Sequence, residues 1–322
     1  MRRYVIRRLL QAVVLLWLMS IGFFLLLHLL PGGPEAVLFS PRMTGAARAQ
    51  LAHDYGLDRP LVVQYLAWLG DALRGNFGFS FADGQPVMHT ISQLVPNTLE
   101  LFLAALLLAL CVAIPLGVLA AVRQYSITDY TTTVLSYFGL AMPVFFFAVV
   151  LQFIFGVQLH QALPIFGISS VDTTGFSPLD NLVDRGLHLI LPMIVLSLLF
   201  IAGWSRYLRS SMLDVVKQDY IRTAKAKGLA GRTVFFRHAL RNALIPMLTQ
   251  VAIDFGAIFG GAVITETVFA WPGLGRLFYD SLQARDYPIL LALLLIGATS
   301  VILFNLLADV LYAVIDPRIR YS

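Results

Sequence analysis

Six apolar runs, most of them close to the length of a bilayer crossing, divide the sequence. They cover Leu9 to Leu30, Leu99 to Val122, Thr132 to Val157, Leu187 to Trp204, Ala243 to Val263 and Ile289 to Leu311. A transmembrane helix needs about 20 predominantly apolar residues. The pattern therefore predicts an all-α, polytopic membrane protein with six transmembrane helices, the fourth being short. The first run follows Arg2-Arg3 and Arg7-Arg8, as the core of a signal peptide would. At 22 residues it exceeds a signal-peptide core, and no Ala-x-Ala site follows closely after it, so it reads as an uncleaved first span.

The segments between the runs suggest three regions: residues 1–30 as the start and first helix, 31–97 as an extracytoplasmic cap, and 98–322 as the transmembrane domain. Pro31-Gly32-Gly33-Pro34 is a sharp chain break. Thr44 to Tyr55 and Pro60 to Leu73 have helical spacing, with Leu61, Tyr65, Trp68 and Leu69 on one face of the second. They predict a small folded helical cap on the outer surface. The competing reading is an aromatic face resting on lipid headgroups. His160 to Gly186 is rich in Gly, Ser, Thr, Asp and Pro and is expected to be irregular.

Composition agrees with the membrane reading. The chain is 58% hydrophobic and 13% charged, against about 25% charged for a soluble domain. A net charge of +5 would suggest nucleic acid in a soluble protein, but position excludes that here. Sixteen of the 23 Lys and Arg fall at the start, in Arg123 to Thr131, in Ser205 to Asn242 or in the tail. All four segments share one side of a six-span topology, so the bias predicts both termini in the cytoplasm. The one cysteine, Cys111, reads as a small buried hydrophobe without a role. No Gly-x-x-x-x-Gly-Lys-Ser/Thr phosphate loop occurs, and the six His form no His-x-x-x-His pair. No catalytic residue, metal or cofactor is predicted, and ATP, if used, belongs to another chain.

The basic loop 205–242 is the informative one. Asp219 to Gly228 reads as a short complete helix. Asp219 is expected to cap its N-terminus, Lys225 and Lys227 to sit near the negative end of its dipole, and Gly228 to end it in the left-handed conformation. Ala224 and Gly228 would share a face without bulk, suited to a close-approaching partner. The alternative is a solvated basic loop that only obeys the charge bias. A second helical stretch, Arg232 to Leu244, follows. Inside the membrane, ionisable residues are functional candidates by default. Asp254 in the fifth run is the clearest, with Asn305 and Asp309 weaker. Asp254 lines a polar path or makes a structural hydrogen bond between helices. Gly256 to Gly260 has the Gly-x-x-x-Gly spacing that permits close packing, a weak signal.

The same loop carries a family resemblance. Asp219-Tyr220-Ile221-Arg222-Thr223-Ala224-Lys225-Ala226-Lys227-Gly228, followed by His238-Ala239-Leu240-Arg241-Asn242-Ala243, resembles the ATPase-coupling loop of peptide-type ABC-importer permeases. Only Ala224, Gly228 and Leu240 match the more general importer signature. The likeness continues through Arg7-Arg8-Leu9, Leu30-Pro31-Gly32 (with Gly33 where an Asp is common), Gly56 to Pro60, Gly75 to Gly78, Thr265 to Gly275, Arg285 to Pro288 and Asp316 to Arg320. It implies a type I ABC-importer permease in a bacterial inner membrane. It implies as partners a similar second permease half, two cytosolic ATPases and an extracytoplasmic binding protein. Di- or oligopeptides are the implied cargo, with glutathione or nickel chelates as alternatives carried by similar permeases. Two readings of other classes compete. An ion-coupled secondary transporter would need more intramembrane charge pairs or internal repeats. An intramembrane enzyme would need a convergent nucleophile or metal set. Neither feature is visible.

Overall fold

The backbone opens on a 27-residue helix, Arg2–His28 (α1). The structure is a computed structural model and describes residues 2–29, 43–256 and 262–315; the chain break at Pro31 to Pro34, Gly260 and the tail from Asp316 lie outside these residues. Two short helices follow, Gly45–Asp54 (α2) and Leu61–Ala72 (α3). Then come Val87–Val122 (α4), Ile127–Ala141 (α5) and Val144–Phe153 (α6), the last running into a π turn, Ile154–Gln158. Pro178–Val216 (α7) and Asp219–Ala226 (α8) precede Gly231–Thr233 (α9), a π segment Val234–Leu240 and Arg241–Gly256 (α10). Val263–Val268 (α11), Leu274–Ala284 (α12) and Tyr287–Ile315 (α13) complete the order. Among the described residues there is no strand, only an isolated bridge between Phe79 and Pro86.

Among the described residues four helices are long and apolar enough to cross a membrane, or five if the bent pair α5–α6 counts as one span. The second and fourth runs make longer helices than their apolar stretches suggest. With Pro178–Val216 at 39 residues, α7 is about 58 Å long at 1.5 Å per residue, nearly twice the hydrocarbon thickness. It begins at a capping box of Ser177 and Asp180, which satisfies orphan backbone donors. It continues through Arg206 and Arg209 because charge ends an apolar run, not a helix. The third run, read as one span, is two helices bent by 98°. Pro143 is the cause: it disfavours helical backbone at the preceding residue, and Met142 is extended with ψ 123°. The fifth expected span is helical to Gly256; residues 257–261 lie outside the described residues, and Val263, where the run was expected to end, opens α11.

The chain divides into two compact units. One contains residues 1–98 and 272–303. Its core joins Val87 and Ile91 to Leu274, Ile289, Ala292 and Leu293. A second cluster joins Phe24 and Leu27 to Tyr287, Leu290 and Leu291, with Tyr65, Trp68 and Phe81 packed against it. The aromatic face expected on α3 thus rests on protein at Tyr65 and Trp68. Ser20 and Tyr65 share a hydrogen bond of 2.9 Å. Asp286, 1% exposed, accepts from Ser80 Oγ at 2.5 Å and from the backbone N–H groups of Phe81 and Ala82, which fixes the turn before α4.

The other unit holds residues 99–256 and 264–271 with the end of α13. Its α5 and α7 meet along a seam of small residues. Gly139 faces Leu198 and Ala202, and the Ser136 and Ser205 hydroxyls are 3.1 Å apart. At its end, Arg209 pairs with Asp129 through two bonds of 2.5 and 2.8 Å. α4 adds a bidentate pair of Glu100 with Arg185 and a close approach at Gly117, where a Cβ would lie 2.7 Å from the Ser205 carbonyl oxygen. Gln152 on α6 donates to the carbonyls of Ile165 and Val268, both at 3.0 Å, and so ties down the irregular segment after His160. Cys111, expected to be buried, is exposed on α4.

The glycines give a test of this packing. Gly117→Ala forces a Cβ against backbone and is expected to cost about 1–3 kcal/mol. Gly203→Ala, on α7, meets nothing within 4 Å and is expected to be neutral. Thermal unfolding of both variants in detergent checks the difference, and equal midpoints would contradict the close α4–α7 contact.

Candidate functional site

The loop after α7 folds as a short helix seated on one side and open on the other. Gln218, with φ −71° and ψ 148°, occupies the N-cap position without a side-chain bond. Asp219, expected as the cap, is instead the first helical residue and is well placed for the helix dipole. At the far end Gly228 has φ +75°, and its N–H donates to the Lys225 carbonyl at 3.0 Å. This is the left-handed stop that the sequence suggested, where a side chain is strained. A Cβ there would meet no other atom within 4 Å, so the glycine borders open space.

Ile221 and Ala224 are the buried residues of α8, at 1% and 7% exposure. The helix packs on the π segment, whose Val234 and Ala239 are also buried. The Ala224 side is therefore the seat of the helix, and Gly228 lies apart from it in the open. Outward lie Asp219, Arg222, Thr223, Lys225, Lys227, Gly228 and Leu229, with Tyr220 half-buried. Arg222 and Asp219 form an exposed i,i+3 pair at 3.7 Å, worth little in stability.

The second half of the motif lies where the chain re-enters the apolar run. His238 and Leu240 are half-buried in the π segment, and Arg241 is exposed. The Asn242 amide donates to the His238 carbonyl at 2.7 Å. The bond adds a donor where the π register returns to the α register. The pairing is visible in the sequence as His and Asn four apart; the π register is not. Ser211 of α7 donates to the Ala243 carbonyl at 3.0 Å, so the α7 end, α8 and the start of α10 form one packed group.

The candidate path residues do not join this group. Asp254 accepts from Trp204 Nε1 at 2.7 Å and from Gln250 Nε2 at 2.9 Å, so both its oxygens are engaged. Trp204 is 1% exposed. Phe200 stacks on Trp204, and Phe102, Phe255 and Phe304 extend the aromatic group. Asn305 is half-buried on α13. Trp204 and Gln250 had no sequence signal of their own beyond Gln250 lying one helical turn before Asp254. No group of three potential metal ligands occurs among the described residues.

The Asp254 bonds lead to a two-variant test. Asp254→Ala leaves the buried Trp204 N–H without an acceptor and is expected to cost about 1–2 kcal/mol. Asp254→Asn keeps an oxygen there and is expected to retain stability. Unfolding midpoints measure the first effect. Transport by a stably assembled Asp254→Asn protein decides the rest: normal transport assigns Asp254 to helix pairing, and loss assigns it to the path.

Comparison with known proteins places these features in a family. The model for "Binding-protein-dependent transport system inner membrane component" matches residues 113–321, and the N-terminal membrane-component model of the same systems matches residues 1–102. The oligopeptide transport system permease protein AppB of Bacillus subtilis is 44% identical over 322 residues, all of both chains. A probable peptide ABC transporter permease protein, y4tP, of Sinorhizobium fredii is 41% identical over 318 residues, 99% of both. The dipeptide transport system permease protein DppB of Escherichia coli K12 is 38% identical over 338 positions, again all of both. The chain belongs to the family of inner membrane components of binding-protein-dependent transport systems.

Proposed function

We propose that this protein is a permease subunit of an ATP-driven ABC importer that moves di- or oligopeptides into the cytoplasm. The observation that carries the reading is α8. It is a short helix with an apolar seat and an open, charged, glycine-ended outer side, set in the most basic loop of the chain. The names of the relatives support peptide cargo; glutathione and nickel chelates remain the alternative cargoes. The permease pairs with a similar half, two cytosolic ATPases and an external binding protein. Six spans with both termini in the cytoplasm place α8 on the ATPase side, in agreement with the Lys and Arg bias.

In this mechanism the chain performs no bond chemistry. Nucleotide-driven closure of the ATPases presses on the α8 surface around Arg222, Lys227 and Gly228. The packed group of the α7 end, α8 and the π segment passes that displacement to the spans, which open the path alternately outward and inward.

Gly228→Val tests the coupling surface. It adds left-handed strain of about 1–2 kcal/mol and puts a branched side chain where the partner approaches. Insertion and pairing with the second permease are expected to persist, while peptide import is lost and ATPase attachment weakens. Gly228→Asn is expected to be milder, because Asn tolerates this conformation. Gly231→Val, where φ is not positive, serves as control. Normal import by Gly228→Val would reduce the loop to a basic anchor.

Reporter fusions test the topology. A reporter active only outside the cytoplasm is expected to be silent at Ser322 and active near Gly45, and the opposite pattern would reverse the assignment of α8 to the ATPase side.

A further inference from the structure

A groove of about 460 Å³ opens between α5 and α7, lined by Thr133, Tyr137, Gly203, Arg206, Tyr207 and Ser210 together with Arg209. The two arginines differ. Arg209 is held by both oxygens of Asp129. Arg206 stacks on Tyr137, its guanidinium carbon 4.3 Å from the ring centroid, and makes no ion pair with a carboxylate among the described residues. Stacking leaves the N–H edge of a guanidinium available, and that edge matches the oxygens of a phosphate. The hydroxyls of Tyr207 and Ser210 are further donors in the same groove.

Gly203, Arg206, Tyr207 and Ser210 share one face of α7 by their i, i+3, i+4, i+7 spacing. A Cβ at Gly203 would meet nothing within 4 Å, so the glycine keeps the groove open. One turn back along α7 lies Leu199, 36% exposed, and one turn on along α5 lies Leu140, 41% exposed. Arg206 is the first charge after the apolar run that ends at Trp204; Tyr207 follows it and Tyr137 stacks on it. Tyrosine and arginine at the end of an apolar run mark the headgroup level.

We propose that this groove seats the phosphate of an anionic phospholipid of the cytoplasmic leaflet, with Arg206 as its cation and Leu140 and Leu199 beside the acyl chains. The assignment to a leaflet rests on the topology proposed above; the binding chemistry does not. A bound anionic lipid would brace the α5–α7 seam beside the Asp129–Arg209 pair.

The test uses the assembled importer in detergent. Retained lipid is measured by native mass spectrometry, and the unfolding midpoint is followed as phosphatidylglycerol, phosphatidylcholine or inorganic phosphate is added. Phosphatidylglycerol alone is expected to be retained and to raise the midpoint. Arg206→Gln is expected to weaken its binding about fivefold, the share of one basic residue near an anionic surface, and Arg206→Lys to weaken it less. Gly203→Leu fills the groove without changing charge and is expected to abolish binding while the protein stays folded. Equal retention of the two lipids, unchanged binding by Arg206→Gln and Gly203→Leu, or no lipid on the wild-type complex would overturn the proposal. A midpoint shift by inorganic phosphate alone would also overturn it, leaving an anion site in place of a lipid site. Detergent micelles have no leaflets, so this result is independent of the reporter fusions.

Discussion

Apolar helices in lipid have no hydrophobic reason to prefer one another to the acyl chains, so their association depends on close backbone approach and on polar pairs. The seam between α5 and α7 meets both conditions. Gly139 and Ala202 bring the helices together, Ser136 and Ser205 bond across the contact, and Asp129 with Arg209 closes its end. The neighbouring contacts use the same few residues of α7. Gly117 of α4 presses on Ser205 and Leu208, and Trp204 reaches Asp254 of α10. One stretch of α7, from Leu198 to Arg209, thus organises three partners. Oily bulk would serve it poorly, since each contact depends on a small residue or a paired polar group.

A related economy of polar groups appears in the other unit. Asp286 is nearly inaccessible, yet its carboxylate gathers donors from Ser80, Phe81 and Ala82. The Thr98 hydroxyl accepts from the backbone N–H of Leu274 at 2.8 Å. Polar groups this deeply buried cannot be left unmatched without cost. These bonds join sequence positions 176 to 206 residues apart.

The sequence was legible where one residue type has one physical consequence. Gly228 ends its helix in the left-handed region, and α2 and α3 appear within a residue or two of their expected ends. Pro143 was equally readable, yet the apolar run hid it: hydropathy sums over a window and does not register a backbone break. The same limitation shortened the fourth helix, because Arg206 and Arg209 ended the run while helical periodicity continued to Val216. Contacts between distant positions were not legible. Ala224 looked like half of an outward small-residue face and proved to be the inward seat. Asp254 looked like an isolated charge, and its partner Trp204 lies 50 positions away.

The length of α7 past the apolar run has a mechanical meaning. From Trp204 to Val216 the helix runs unbroken for about 18 Å at 1.5 Å per residue, held at its start by the seam and by Asp254 and near its end by Ser211 against α10. α8 hangs from its tip, one short link away. A tilt of about 10° about the root sweeps the tip by about 3 Å, comparable to the helix shifts that carry signals across protein interfaces. A stiff arm of this kind delivers a displacement with little lost in bending. The start of α10 is carried with it, because Ser211 holds the Ala243 carbonyl near the tip.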